Sequence, residues 1–185
     1  HVLREASCKG CARMTAKFEQ RVARDLWGDA RTSYGGPTRR KRERPTHIEV
    51  RDPSFPSRRL MVPAHEYPAA LVFYKMCQAG ILQGLSESVD LSLTWQLVAI
   101  HDEERVKKYR EKYQADPLVK FRHVPDAFGR LLAKIGYCNL LTMLDPDDFQ
   151  PLCLPYIRGD KANCSFIVGG TFDEQQPELE NGYKL

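Results

Sequence analysis

Two thiols with two residues between them, in Cys8-Lys9-Gly10-Cys11, are the side chains of this sequence best suited to chemistry. That spacing sets a pair of sulfurs along one edge of a tetrahedron, whereas a closed structural zinc site needs four ligands, at about 2.3 Å for sulfur. Two ligands are missing from the motif. Cys77, Cys138, Cys153 and Cys164 stand singly, with no second pair among them. A lone cysteine in an apolar helical pattern, as at Cys138, behaves as a small core hydrophobe. The other zinc ligands are therefore expected upstream of His1. A redox dithiol is the competing use, but it calls for a strand before the motif in a βαβ unit, and Val2-Leu3-Arg4-Glu5-Ala6-Ser7 is short and polar. An inert turn is the third use.

Cations supply the second chemistry. Lys9, Arg13, Lys17 and Arg21 recur every fourth position and are followed by Arg24, so one helix face forms a basic ridge, with Glu19 near it. A basic arm follows, Thr38-Arg39-Arg40-Lys41-Arg42-Glu43-Arg44-Pro45, with no apolar residue to bury. Taken alone, such runs are usually solvated faces. Together with the Cys-x-x-Cys turn, they point to contact with nucleic-acid phosphates by Lys9, Arg13, Lys17, Arg21, Arg24, Arg39, Arg40, Lys41, Arg42 and Arg44. The charge distribution favours the same partner. Residues 1–50 carry a net +6 and residues 51–185 a net −2, a concentrated positive field suited to a polyanion.

These groups need elements to hold them. Met14, Phe18, Val22, Leu26 and Ala30 repeat every four positions, which predicts one amphipathic helix from Cys11 to about Ala30, ended by Tyr34-Gly35-Gly36-Pro37. The alternating His47–Arg51 and the Arg58–Val62 run predict a hairpin. Ala69–Tyr74 and Leu93–Ile100 are strand candidates of the same antiparallel sheet, with Gly80–Asp90 a loop between them. Asp102-Glu103-Glu104 opens a charged helix to about Tyr113. Residues 128, 131, 132, 135 and 138 mark the face of a core helix. Asp145-Pro146-Asp147-Asp148 reads as turn and capping chemistry, and Ser165–Gly170 as a late short strand with a glycine turn. The expected fold class is α+β: part of a zinc-finger-like module, its helix and basic arm (residues 1–45), then a mainly antiparallel sheet packed with helices (residues 46–185).

Hydrophobic content of 42% with 28% charged residues is that of a globular chain, and no apolar run approaches the roughly 20 residues of a membrane span. A membrane partner is not expected. Six scattered cysteines fit a reducing cytoplasm better than a disulfide framework.

Ala6-Ser7-Cys8-x-x-Cys11, the helix with Thr15, Phe18-Glu19 and Arg24, and Thr38-Arg39-Arg40 with Arg44-Pro45 resemble bacterial HNH endonuclease family proteins that have a long C-terminal extension. Lys134-Ile135 and Val168-Gly169-Gly170 are similar to that extension. The resemblance implies a zinc-stapled finger, with Cys8 and Cys11 as two of the structural Zn2+ ligands, and a separate divalent ion such as Mg2+ at the cutting site. It implies a histidine acting as general base on water, expected upstream of this chain, and nucleic acid, DNA foremost, as the partner. The sequence departs from the family's commoner pattern where Ala12 and Ala16 stand in place of polar or ligand residues. Glu19 and His1 are the remaining ligand candidates. The alternatives are a binding or regulatory protein that keeps the zinc scaffold without cutting, and a protein-interaction module.

Overall fold

The computed structural model describes residues 8–36, 45–52, 55, 57–170 and 183–184. It has the α+β architecture, with five α-helices and two small sheets among those residues. The basic arm, with Arg39, Arg40, Lys41, Arg42 and Arg44, lies outside the described residues, as does His1.

The expected helix from Cys11 to Ala30 is two helices, α1 (Lys9–Asp25) and α2 (Gly28–Ser33). The break has one local and one distant cause. Gly28 is a poor helix former, and the indole of Trp27 is turned away to donate from Nε1 to the Val72 carbonyl at 2.7 Å. The apolar stripe survives the break, since Phe18, Val22, Leu26 and Ala30 are all buried. Met14, its first member, is 39% exposed.

The hairpin forms as the alternation requires: β1 (His47–Arg51) pairs antiparallel with β2 (Arg59–Pro63), His47 opposite Pro63 and Arg51 opposite Arg59. Ile48, Val50 and Val62 turn inward. The other strands form a second sheet instead of joining this one, in the order β3 (Leu71–Lys75), β4 (Gln96–Ile100), β5 (Tyr183–Lys184), with β5 antiparallel to β4. Leu93 and Thr94, expected within a strand, belong to a 3₁₀ turn over Leu91–Thr94 that Asp90 starts by accepting the Ser92 N–H at 2.9 Å. Another short 3₁₀ turn, Gly80–Gln83, lies in the expected loop.

Helix α3 (Glu103–Tyr113) is capped by Asp102, whose carboxylate accepts the Arg105 N–H at 3.1 Å. Helix α4 (Pro125–Leu140) is present, but its buried face is rotated from the expected one. Ala127, Phe128, Gly129 and Ala133 are buried while Ile135 is 54% exposed. Close approach explains the choice: a Cβ on Gly129 would stand 2.8 Å from Cys164 Cβ and 3.3 Å from the Trp95 ring, so the small residues face inward. Asp145 does form the expected turn, accepting the Asp147 N–H at 3.0 Å. Helix α5 (Leu154–Arg158) follows. Ser165–Gly170 is not a strand. Cys164–Phe166 is a 3₁₀ turn, and Gly169 packs so tightly on the 77–79 backbone that a Cβ there would collide with Ala79 N.

The chain forms two compact units that alternate along the sequence. The first takes residues 1–22, 74–96 and 124–177. Its core sets Tyr74 against Phe128 and Trp95, ring centroids 5.1 and 5.9 Å away. The Tyr74 hydroxyl accepts the Val124 N–H at the start of α4 at 2.7 Å. The second takes residues 23–73, 97–123 and 178–185. Its core gathers Ala30, Ile48, Val50, Val62, Ala64, Tyr67, Ala69 and Tyr109, with Tyr67 and Tyr109 edge to face at 5.6 Å. Arg105 Nη2 ties the α2 end to the 65–67 segment, within 2.9 Å of Ser33 Oγ and 2.6 Å of the His65 carbonyl.

Candidate nucleic-acid interface

Helix α1 sorts its side chains by the 3.6-residue period. Thr15, Phe18 and Val22 are buried on one face, while Lys9, Arg13, Lys17, Arg21 and Arg24 are exposed and span an arc of about 120° on the other. Glu19 is drawn off the ridge by an ion pair with Lys134 of α4, whose ammonium also donates to Thr15 Oγ1 at 2.9 Å. Glu19 therefore stabilises the packing of α4 on α1 and does not neutralise Arg13 or Lys17. Among the described residues Lys9, Arg13, Lys17 and Arg24 have no ion pair.

The two thiols stand at the start of the same helix, both unbonded to any other sulfur. Cys8 occupies the capping position, its Sγ accepting the Cys11 N–H at 3.3 Å. That bond, helped by a hydrogen bond from the Cys11 thiol and by the Arg158 charge, lowers the Cys8 pKa below the ordinary thiol value. Donating to Cys8 and lying beside its charge raise that of Cys11. The pair so arranged offers two soft ligands on one side. Among the described residues no cluster of three or more His, Cys, Asp or Glu side chains is placed to hold a metal.

A second cationic locus has no counterpart in the sequence patterns. A cleft of about 470 Å³ in the second unit is lined by Arg24, Asp25, Gly28, Asp29, Lys120, Phe121 and Arg122. Its far wall, the irregular segment around 118–122, is pinned at three points. Tyr67 Oη bonds both backbone groups of Leu118, at 2.6 and 3.1 Å. Lys120 Nζ donates to the Glu49 carbonyl at 2.7 Å, and the Arg122 N–H donates to the Asp25 carbonyl at 2.7 Å. Burial raises the Asp29 pKa, against the pull of Lys120, and its Oδ2 has no hydrogen-bond partner among the described residues. Val119-Lys120-Phe121-Arg122-His123, apolar and basic residues interleaved, is the local signal that could have marked this wall.

No family model, curated protein or solved structure matches this chain. Among the described residues, no helix is long and apolar enough to cross a membrane.

Proposed function

We propose that this protein binds nucleic-acid phosphates through the exposed face of α1, as a homologue of HNH-type endonucleases whose Cys8 and Cys11 contribute to a structural zinc site. The observation that carries this is the division of α1 into a buried apolar face and an opposite face where Lys9, Arg13, Lys17 and Arg24 have no ion pair among the described residues. Cations held on a rigid helix without protein counter-charges bind phosphates at little entropic cost, and they position a protein on a strand without reading its bases. Zinc, when bound, would fix the start of α1 and so the direction of the ridge.

The described residues favour grip over cutting. Ala12 has no ligand atom, and Glu19 is committed to Lys134. A binder that keeps the scaffold without the scissile chemistry is therefore the second reading. Incubation of supercoiled plasmid with the protein and Mg2+ separates the two, since nicking favours the enzyme.

Binding is tested by anisotropy of a labelled DNA duplex over a salt series. Arg13→Ala with Lys17→Ala is expected to weaken binding and to flatten the slope of log K against log salt by about 0.9 for each phosphate the variant no longer neutralises. An unchanged slope refutes the assignment of α1.

A further inference from the structure

The cleft beside Arg24 combines features that a plain phosphate site does not need. Arg24, Lys120 and Arg122 bring three cations to one concavity. Arg24 and Arg122 form no ion pair among the described residues, and Lys120 spends one ammonium hydrogen on the Glu49 carbonyl. Two carboxylates, Asp25 and Asp29, line the same cleft and leave the cations one charge in excess. An inorganic anion gains nothing from those carboxylates. A ligand that joins a phosphate to N–H donors uses both kinds of group, and Asp29 Oδ2 lacks a donor; the terminal torsion of an aspartate is soft enough to turn that oxygen toward one. Phe121, 37% exposed, adds an aromatic ring to the wall. Cations along a backbone path with an aromatic ring for stacking are how unpaired bases are held. The volume of about 470 Å³ lies within the range of small-ligand clefts.

We propose that this cleft holds one unpaired nucleotide of a nucleic-acid strand, its phosphate among Arg24, Lys120 and Arg122 and its base against the Phe121 ring. The proposal rests on the nucleic-acid reading of α1 and adds a preference to it: the protein favours junctions, tails or gaps over continuous duplex. Arg24 lies on α1 and also lines the cleft, so one residue serves both contacts.

The test uses the full chain with four probes: adenosine 5′-monophosphate, inorganic phosphate, a short blunt DNA duplex, and the same duplex with a single-stranded tail. The monophosphate is expected to bind more tightly than phosphate, and the tailed duplex more tightly than the blunt one. Phe121→Ala should remove about tenfold of each advantage and leave blunt-duplex affinity unchanged. Arg122→Gln should weaken monophosphate and phosphate alike by about tenfold. Phe121→Tyr, which keeps the ring, should retain the preference and guards against a folding defect in the alanine variant. The proposal is overturned if the monophosphate binds no better than phosphate, or if Phe121→Ala and Arg122→Gln change nothing. Salt-sensitive duplex binding without any gain from the tail overturns the cleft assignment and leaves that of α1 standing. Monophosphate binding with no affinity for either duplex sinks the α1 reading, and the strand assignment with it.

Discussion

Cys8 and Cys11 are the same residue type three positions apart, yet their environments shift the two thiols in opposite directions. Cys8 receives a backbone N–H and a thiol proton, both of which favour its thiolate, whereas Cys11 gives up a hydrogen bond to that thiolate. Because the thiolate is the reactive form, Cys8 is expected to be alkylated by iodoacetamide faster than Cys11 near neutral pH, as read by peptide mass spectrometry. Equal rates would show that the cap does not form in solution. Asp29 has the opposite problem, a carboxyl buried without a full set of partners. Its pKa is higher folded than unfolded, so the native state binds this proton more tightly, and the protein loses stability as pH rises from the ordinary carboxylate value of about 3.9 through the folded one. Asn cannot ionise. Asp29→Asn should therefore melt higher than the parent at pH 7, with the gain shrinking toward pH 4; a gap independent of pH would assign the effect to something other than charge. At this scale the sequence showed the thiols and the ridge, because both are local spacings. It did not show the cleft, whose walls join residues 24–29 to residues 120–122 through the fold alone.

Elements were legible where one periodicity decided them. The apolar stripe of α1 and α2, the Asp102 cap and the β1–β2 alternation all express contacts made close by in the chain. Where α4 and Ser165–Gly170 depart from the expected pattern, a distant neighbour changed the local preference. The helical pattern points Ile135 inward, but Gly129 lets Cys164 and Trp95 come closer to α4 than any larger residue would, and that contact fixes the rotation of the helix. Gly129→Ala puts a methyl group into that contact and should cost about 1–3 kcal/mol, the usual range for overpacking. Denaturant melts would measure it. A neutral result would mean that Cys164 gives way. Ser165–Gly170 resembles a strand in being short and apolar. Instead it is held by polar ties, Ser165 Oγ accepting the Leu91 N–H at 2.8 Å and Asn163 Nδ2 donating to the Glu87 and Val89 carbonyls at 2.7 Å each.

For the molecule as a whole, the sequence patterns predict a mixed α+β protein, and the structure has that class. Its charge is unevenly placed, with the positive excess in the first 50 residues, and the helix-borne part of that excess is exposed. The units interleave along the chain, each built from three separate segments. A fragment of residues 46–185 would lack Thr15, Phe18 and Val22 from one core and Leu26 and Ala30 from the other. It is expected to show no cooperative thermal transition by circular dichroism, whereas a sharp transition would mean that the later segments suffice alone.

The same interleaving sets a timetable for vectorial synthesis. When α1 leaves the ribosome, the α4 residue that ties down its buried face has not yet been translated, since Lys134 follows Thr15 by 119 positions. At the usual pace of elongation of about 5–20 residues per second, that face waits several seconds for its partner. During that interval the buried face of the nascent helix is open to chaperone capture and to premature association with other chains.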